Sequence, residues 1–417
     1  MTNRLKTLST VFSAFIIIAI LTGLVMVNIF YIRHHSVEKK FLTPWLGMRT
    51  FLEIGSDPYG EPATQRTQFL FYGKLAESGQ DPLILNQPFA SEILYFPFAL
   101  INDYTTARVV WMFLLELLLI GSAYLSLYLF EWKLPKSITI AFAILAVFGT
   151  QAIIPLLEND QVILVFIFLL IGLIGIRMGL DELSGAAFAL AFFQPSVTCL
   201  LCLMTFWWAI HNRRKRFIWG GMMAWGFLLL ISFGLFPGWF LPFIRSFRSE
   251  FVFVNYQSTF GILSDLWPAI GSKVAVSLTF GIIIILILEW RAALNKDINW
   301  FLWTASLTLT TYPLVGIPTI AVNNIVLLIP LTYILKVIAE RTGRKKQWLF
   351  IGVIIGLIFF SGWSFTLLSQ NFTNNDALKM ITFFVPSLLL IAGLYWIRWW
   401  ATRPPRTWMD TIDREQS

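Results

Sequence analysis

Four carboxylates stand beside apolar segments of the sequence and have the chemistry of general acids, general bases or cation ligands. Glu38 follows the first apolar segment, and Asp57 lies in a turn-forming stretch. Glu158 and Asp160 flank Asn159 between two further apolar segments. Charged groups near a bilayer cost free energy, so such clusters usually face a cavity. The cluster at 158–160 can therefore bind a sugar hydroxyl, a proton or a divalent metal, whereas a plain polar turn with a helix N-cap explains it equally well.

Further polar side chains have the types that bind hydroxyl groups and anions. Tyrosine and the side-chain amides both donate and accept hydrogen bonds, while arginine and lysine only donate them. The candidate binding residues are Tyr59, Arg66, Tyr72, Lys74, Arg108, Asn159, Gln161, Gln194, Asn323 and Asn324. For the last two, a polar cap at the end of an apolar segment is the competing interpretation.

Glu116 is isolated within an apolar segment that runs from about residue 106 to residue 130. An ionisable group at membrane depth is a functional candidate by default. A neutral, hydrogen-bonded glutamic acid with a structural role is an equally good interpretation.

The composition decides what kind of scaffold positions these residues. Of the 417 residues, 57% are apolar, 16% are aromatic and only 13% are charged, and the mean hydropathy is +0.72. A soluble domain has about 25% charged residues, and a disordered chain is poor in apolar residues. The sequence therefore predicts an all-α, polytopic membrane protein and excludes a soluble globule.

Apolar segments that can cross about 30 Å of hydrocarbon as helices recur along the whole chain. They cover residues 11–32, 106–130, 137–155, 161–177, 217–236, 273–290, 298–315, 319–337, 348–368 and 380–400. Residues 90–101 are too short to span and predict a re-entrant or interfacial helix. Residues 183–210 are interrupted at Gln194-Pro195, so they form one kinked span or two half-helices. The total is about 10–12 transmembrane helices.

Basic residues in short loops set the orientation, because such loops stay in the cytoplasm. The clusters at 213–216 and 344–346 are therefore predicted to be cytoplasmic. If 90–101 does not cross and 183–210 is a hairpin of half-helices, every short basic loop lies on that side. The competing topology makes both segments full spans and leaves three basic residues of short loops outside. We favour the first topology.

In the preferred topology, most of the residues that lie outside the bilayer are on its outer side. It predicts one integral membrane domain over residues 1–417, with a signal anchor, cytoplasmic termini and a short cytoplasmic tail at 401–417. The outer loops cover 33–104 and 237–271, and an amphipathic helix is expected at 64–74 in the first. Function is therefore expected outside or within the bilayer.

Several classes of function have no support in the sequence. There is no phosphate-binding loop and no dinucleotide fingerprint, so an ATP-driven pump is not expected. The two cysteines cannot form a disulfide framework, and three histidines are too few for a His-rich metal site. The net charge of +8 comes from the basic loops of a membrane protein, so we expect a lipid bilayer and no nucleic acid as partner.

Six short stretches between about residues 40 and 215 form an ordered set. They are 41–47 (FLTPWLG), 57–59 (DPY), 72–74 (YGK), 97–101 (PFALI) with 107–111 (ARVVW), 159–161 (NDQ), and 185–187 (GAA) followed by 194–195 (QP). This set resembles glycosyltransferase family 87. The C-terminal half of the chain matches that family only in hydropathy.

The resemblance implies a GT-C architecture and an enzyme of the bacterial plasma membrane with an extracytoplasmic active site. Such enzymes move a sugar from a polyprenyl-phosphate donor to a lipid or glycan acceptor. The resemblance implies a hexosyl- or pentosyltransferase, with a mannose-like sugar as the first expectation. It implies no firm cofactor, and a divalent metal is compatible with it but not required. Arg66, Lys74 and Arg108 become candidates for the lipid phosphate.

Three positions depart from the family's pattern. The catalytic aspartate expected after the first span is matched by Lys40, and Glu38 is the nearest carboxylate. Gln87 and Gln194 stand where relatives usually have tyrosine and often have lysine, respectively. A lysine at its usual pKa cannot deprotonate an acceptor hydroxyl. One of the four carboxylates named above therefore has that role, with Glu38 or Asp160 the best candidates, or catalysis is lost.

Two other functions stay open. A catalytically silent protein of the same fold would bind a lipid-linked sugar or a partner, and Lys40 favours it. A secondary transporter would use Glu116 and the helix broken at Gln194-Pro195. The lack of an internal sequence repeat and the one-sided outer loop count against a transporter.

Overall fold

A computed structural model describes residues 2–253, 258–317, 320–341, 347–371 and 376–402. Within these ranges the chain is helical and has no strand, which confirms the all-α prediction for this part of the protein. Two 3-10 segments cover Ile93–Tyr95 and Ala321–Leu327. The α-helices are α1 (Thr2–His34), α2 (Lys39–Ile54), α3 (Glu61–Tyr72), α4 (Phe89–Glu92), α5 (Phe96–Ala99), α6 (Tyr104–Leu129), α7 (Lys136–Phe148), α8 (Thr150–Leu157), α9 (Val162–Met178), α10 (Asp181–Ala191), α11 (Pro195–His211), α12 (Lys215–Leu235), α13 (Phe240–Phe253), α14 (Thr259–Leu266), α15 (Gly271–Ala293), α16 (Ile298–Thr311), α17 (Leu328–Arg341), α18 (Gln347–Asn371) and α19 (Asp376–Ala401).

Several helices have the length and composition of membrane spans. Among the described residues five qualify, and the number rises to seven if each of two bent helix pairs is one span. The five are Tyr104–Leu129, Lys215–Leu235, Gly271–Ala293, Ala321–Arg341 and Phe384–Ala401. They coincide with five of the segments that the sequence predicts to span.

The two bent pairs contain the predicted segments 11–32 and 137–155. In the first pair, α2 lies at 94° to the C-terminal part of α1, and in the second, α8 lies at 41° to α7. Gly149 separates α7 from α8. A Cβ atom at this glycine would lie 2.3 Å from the carbonyl oxygen of Leu145, so a larger residue does not fit there.

Other predicted segments differ from the structure. α9 has 17 residues and α16 has 14, so both are shorter than the spans expected there. Residues 90–101 do not form one helix, because α4, a 3-10 turn and α5 follow one another as pieces of three or four residues. The second outer loop, 237–271, contains α13 and α14. The tail from residue 403 onward and the basic residues at 344–346 lie outside the described residues.

The segment 183–210 breaks where the sequence indicates a break. α10 ends at Ala191 and α11 begins at Pro195, since proline cannot donate the hydrogen bond that would continue the ladder. The chain therefore forms two helices here and not one kinked helix.

In the first outer loop, the helix expected at 64–74 is α3. It ends at Gly73, whose φ of +72° lies in the left-handed region that favours glycine. Phe69 and Leu70 on its surface are 54% and 45% exposed. Exposed apolar side chains of this kind are what the predicted interfacial helix requires, and its position at a bilayer stays a prediction.

The chain divides into two compact units. The first comprises Met1–Leu118, Leu156–Asp160 and Leu229–Val254, and the second comprises Leu119–Pro155, Gln161–Leu228 and Asn255–Ser417.

The first unit has an aromatic core around α2. The ring centroid of Trp111 lies 5.9 Å from that of Phe41 and 4.9 Å from that of Tyr95, and all three side chains are almost fully buried. Large aromatic side chains contribute most of the apolar burial in such a core.

The second unit is built on small residues at helix crossings and on a buried α16. A Cβ atom at Gly172 of α9 would lie 2.9 Å from the ring of Phe188 in α10, so these helices pack very closely. On α16, Trp303 is fully buried, and its Nε1–H donates to the carbonyl of Leu394 over 2.9 Å.

Candidate active site

Four pieces of the first unit bring charged side chains together. They are the turn after α1, the first turn of α2, the first turns of α6, and residues 156–160. Asn159 has a φ of +54°, a left-handed conformation that asparagine tolerates better than most residues. This turn places the side chains of 158–160 against α2 and α6.

Lys40 is the centre of an ion-pair network. Its Nζ lies 2.7 Å from an Asp160 oxygen and 2.5 Å from a Glu158 oxygen. The Asp160 side chain is only 7% exposed and that of Lys40 is 23% exposed. Partial burial strengthens such charge-assisted hydrogen bonds relative to surface ion pairs. The lysine thus neutralises two carboxylates that were candidates for the general base.

Arg108 is fully buried and anchors the 156–160 turn. Its Nε donates to the side-chain oxygen of Asn159 over 2.6 Å, and its Nη1 donates to the carbonyl of Ser36 over 3.0 Å. Trp111 supports the same turn, since its Nε1–H donates to the Asn159 carbonyl over 3.0 Å. The Nη2 atom of Arg108 has no partner in hydrogen-bond geometry among the described residues, and the hydroxyl of Tyr104 lies near this guanidinium.

Glu38 is the carboxylate of this cluster that keeps its oxygens free. It is half-buried, and its side chain has no hydrogen bond or ion pair in the part of the chain that the structure describes. Burial raises the pKa of Glu38 above its ordinary value, and the nearby Arg108 partly offsets this. Its backbone N–H donates to the hydroxyl of Tyr104 over 3.2 Å, which fixes the residue in place.

The structure brings five of the candidate residues together in this cluster: Glu38, Arg108, Glu158, Asn159 and Asp160. A general base needs a free carboxylate, a raised pKa and a position within reach of a substrate. In this cluster Glu38 meets these conditions better than Glu158 and Asp160, whose carboxylates are paired with Lys40.

Asp57 and Tyr59 lie elsewhere, in the turn before α3. The Asp57 carboxylate accepts from the backbone N–H of Tyr59 over 2.8 Å, and burial raises its pKa. The Tyr59 hydroxyl donates to the carbonyl of Gln87 over 2.6 Å. Both side chains hold the loop together by these bonds.

Arg66, Tyr72 and Lys74 also have local partners. An Arg66 nitrogen lies 3.0 Å from a Glu53 oxygen, and the Tyr72 hydroxyl donates to the carbonyl of Asp81 over 3.0 Å. Lys74 pairs with Glu77 on the surface. Exposed ion pairs of this kind add little stability.

The remaining candidates belong to the second unit. Gln194 and Asn323 are brought together, because the Gln194 Nε2 donates to the Asn323 side-chain oxygen over 3.2 Å. Gln161 is buried and Asn324 is half-buried.

The membrane-depth carboxylate also has a partner. An oxygen of Glu116 on α6 accepts from the Asn28 side chain of α1 over 3.0 Å. The contact supplies the hydrogen bond that the structural interpretation of Glu116 requires.

The first unit also contains a second polar group, which none of the sequence predictions includes. Glu92 and Tyr95 are both completely buried, and neither the Glu92 oxygens nor the Tyr95 hydroxyl has a hydrogen-bond partner among the described residues. One signal was available: Glu92 is the single acid in the apolar run from residue 89 to residue 101.

A metal was compatible with the sequence. Over the described ranges, no group of three or more His, Cys, Asp or Glu side chains is arranged to hold a metal ion.

Comparison of the chain with protein-family models, curated proteins and solved structures finds no match.

Proposed function

We propose that this protein is a membrane glycosyltransferase with a GT-C-like bundle of about 10–12 spanning helices. It moves a hexose or pentose from a polyprenyl-phosphate donor to a lipid or glycan acceptor, and a mannose-like sugar is the first expectation. The transfer takes place on the extracytoplasmic side of a bacterial plasma membrane. The observation that carries the proposal is the free, half-buried carboxylate of Glu38 beside the fully buried Arg108. The six ordered stretches that resemble glycosyltransferase family 87 add to it.

The proposed reaction is a displacement at the anomeric carbon. The acceptor hydroxyl oxygen forms a bond to that carbon, and the bond from the carbon to the phosphate oxygen breaks. The hydroxyl proton goes to the Glu38 carboxylate, and the bonding electron pair leaves with polyprenyl phosphate. General-base assistance of this kind contributes about 10²–10⁴-fold in rate.

Arg108 is the proposed phosphate ligand. A guanidinium pairs well with phosphate oxygens, and its Nη2 atom has no partner in hydrogen-bond geometry among the described residues. The other two nitrogens are engaged with Asn159 and Ser36, which holds the side chain in one orientation.

A second candidate function is a silent protein of the same fold that binds lipid-linked sugar without transfer. The observation in its favour is Lys40, which stands where the family has its catalytic aspartate and which occupies both Glu158 and Asp160.

The test compares Glu38→Gln with wild type in label transfer from polyprenyl-phosphate sugar, with donor binding measured in parallel. We expect transfer to fall by about 10²-fold or more while binding stays. Glu77→Gln, an exposed carboxylate of the same outer loop, is the matched control and keeps full transfer. Full transfer by Glu38→Gln contradicts the assignment of the base, and binding without transfer by wild type favours the silent protein.

A further inference from the structure

Glu92 is an unusual residue even within this polar unit. Its side chain is 0% exposed, and both oxygens lack a hydrogen-bond partner in the described part of the chain. An ionised carboxylate without partners is very costly to bury, so such a group stays neutral and retains one O–H donor. Burial accordingly raises the pKa of Glu92 well above its ordinary value.

Two further buried polar atoms accompany it. The Tyr95 hydroxyl and the side-chain oxygen of Gln87 are buried, and the described residues offer neither of them a partner. Glu92 and Tyr95 are three residues apart on consecutive helical turns, so they share a face. Tyr59 is also close, because its hydroxyl donates to the backbone carbonyl of Gln87.

This group adjoins the charged cluster. The ring of Tyr95 lies 4.9 Å from that of Trp111, whose Nε1–H donates to the carbonyl of Asn159. Burial raises the pKa of the Tyr95 hydroxyl well above its ordinary value, and the carboxyl groups of Glu92 and Asp160 both lie close enough to contribute. Tyr95 thus connects Glu92 to the turn that carries Asp160.

The chemistry of these atoms selects the class of ligand. A carboxylic acid, a phenol and an amide oxygen offer both donors and acceptors without a net charge. A fully ionised phosphate only accepts hydrogen bonds and cannot pair with the amide oxygen, whereas a hydroxyl group both donates and accepts and can pair with all three. Native proteins rarely leave several buried polar atoms unpaired in one place, so this group calls for a partner that fills it.

We infer that Glu92, Tyr95 and Gln87 form a subsite for the hydroxyl groups of a sugar, next to the charged cluster that holds the phosphate. The inference rests on the proposed function and deepens it, because it assigns the sugar end of the donor to particular side chains.

The experiment measures the affinity of the purified full-length protein for two probes. One is polyprenyl phosphate carrying mannose, glucose or arabinose, and the other is the same polyprenyl phosphate without sugar. We expect wild type to bind one sugar-bearing lipid more tightly. Glu92→Leu and Tyr95→Phe are expected to weaken binding of that lipid by about tenfold or more and to leave the sugar-free lipid unchanged, since each strands a sugar hydroxyl.

Two variants sharpen the result. Glu92→Gln retains a donor and an acceptor and is expected to recover most of the affinity that Glu92→Leu loses. Ser91→Ala is the matched control, because Ser91 is equally buried on the same turn but already donates to the carbonyl of Pro88. It is expected to keep the wild-type preference.

The outcomes separate the two proposals. If wild type prefers the sugar-bearing lipid and both Glu92→Leu and Tyr95→Phe keep that preference, the subsite is overturned and the proposed function stands. If wild type binds both lipids equally, the subsite is likewise overturned. If it binds neither, the proposed function and the subsite fail together.

Discussion

Lys40 holds two carboxylates that would otherwise repel each other near a bilayer. Replacing it with methionine keeps the length of the side chain and removes the cation from Asp160, whose side chain is only 7% exposed. Removing one partner of a buried pair is strongly destabilising. We expect Lys40→Met to lower the free energy of unfolding by about 3 kcal/mol, measured by denaturation in detergent.

The neighbouring lysine provides the control. Lys39 pairs with Asp81, and their side chains are 40% and 27% exposed. Lys39→Met is therefore expected to cost about 1 kcal/mol or less. Equal losses for the two variants would show that burial of the Lys40 network contributes nothing.

The proposed base predicts a pH dependence of transfer. Glu38 must be ionised to accept a proton, and burial raises its pKa above the ordinary value of 4.5. Arg108, Lys40 and His35 act in the opposite direction, and Glu158 adds to the rise. Transfer is therefore expected to increase as pH rises through this raised pKa.

A rate profile against pH measures that limb. In Glu38→Gln the residual transfer is expected to lose it, because the group that titrates is gone. A residual activity with the same acidic limb as wild type would assign the titration to another group.

Glu92 predicts a pH dependence of stability instead. Its pKa is raised in the folded protein, so its contribution to stability is complete below the unfolded value and is lost as pH rises through the folded value. Glu92→Gln cannot ionise. Its stability relative to wild type is thus expected to increase as pH rises above the ordinary pKa of a glutamic acid, about 4.3, as followed by thermal unfolding in detergent. If the difference in stability between Glu92→Gln and wild type did not change with pH, the raised pKa of Glu92 would be contradicted.

At the scale of elements, the crossing of α10 and α12 depends on a glycine in one of the six ordered stretches. A Cβ atom at Gly185 would lie 2.0 Å from the backbone oxygen of Phe217, which no rotamer can relieve. We expect Gly185→Ala to lower the free energy of unfolding by about 1–3 kcal/mol. Gly226→Ala on α12 is the control, since a Cβ there meets nothing within 4 Å and alanine favours a helix. Equal stability of the two variants would contradict the close crossing.

The elements show where sequence patterns suffice and where they do not. The proline at 195 and the glycine at 73 define helix ends locally, so the break between α10 and α11 and the end of α3 are predictable. Residues 90–101 read as one apolar helix, yet they fold as three short pieces around Tyr95 and Phe98, which pack against Trp111. Tertiary packing determines the conformation of residues 90–101, and hydropathy alone does not predict such packing.

Over the whole chain, hydropathy predicts more spans than the described residues show by helix length. The described residues give five helices of spanning length, or seven with the bent pairs, against the expected 10–12. Several apolar segments, such as α16 with 14 residues, end early. An apolar side chain can be buried against lipid or against protein, so hydropathy alone does not give the length of the helix that carries it.

Part of the candidate site is visible in the sequence and part is not. Charges at the ends of apolar segments, such as Glu38 and Arg108, are conspicuous because the membrane makes them costly. The partnership of Lys40 with Asp160 joins residues 120 positions apart, which no local pattern reveals. Glu92 was hidden for the opposite reason, since one acid hardly changes the hydropathy of an apolar run.

The proposed function is transfer of a sugar from a lipid-linked donor, and label transfer tests it directly. The direct measurement incubates the purified protein, in nanodiscs, with radiolabelled polyprenyl-phosphate mannose, glucose or arabinose and a lipid extract. We expect label to move from one of these donors to an acceptor, with release of polyprenyl phosphate. Tight binding of a donor with no transfer to any acceptor in the extract would contradict it and favour the silent protein that Lys40 suggests.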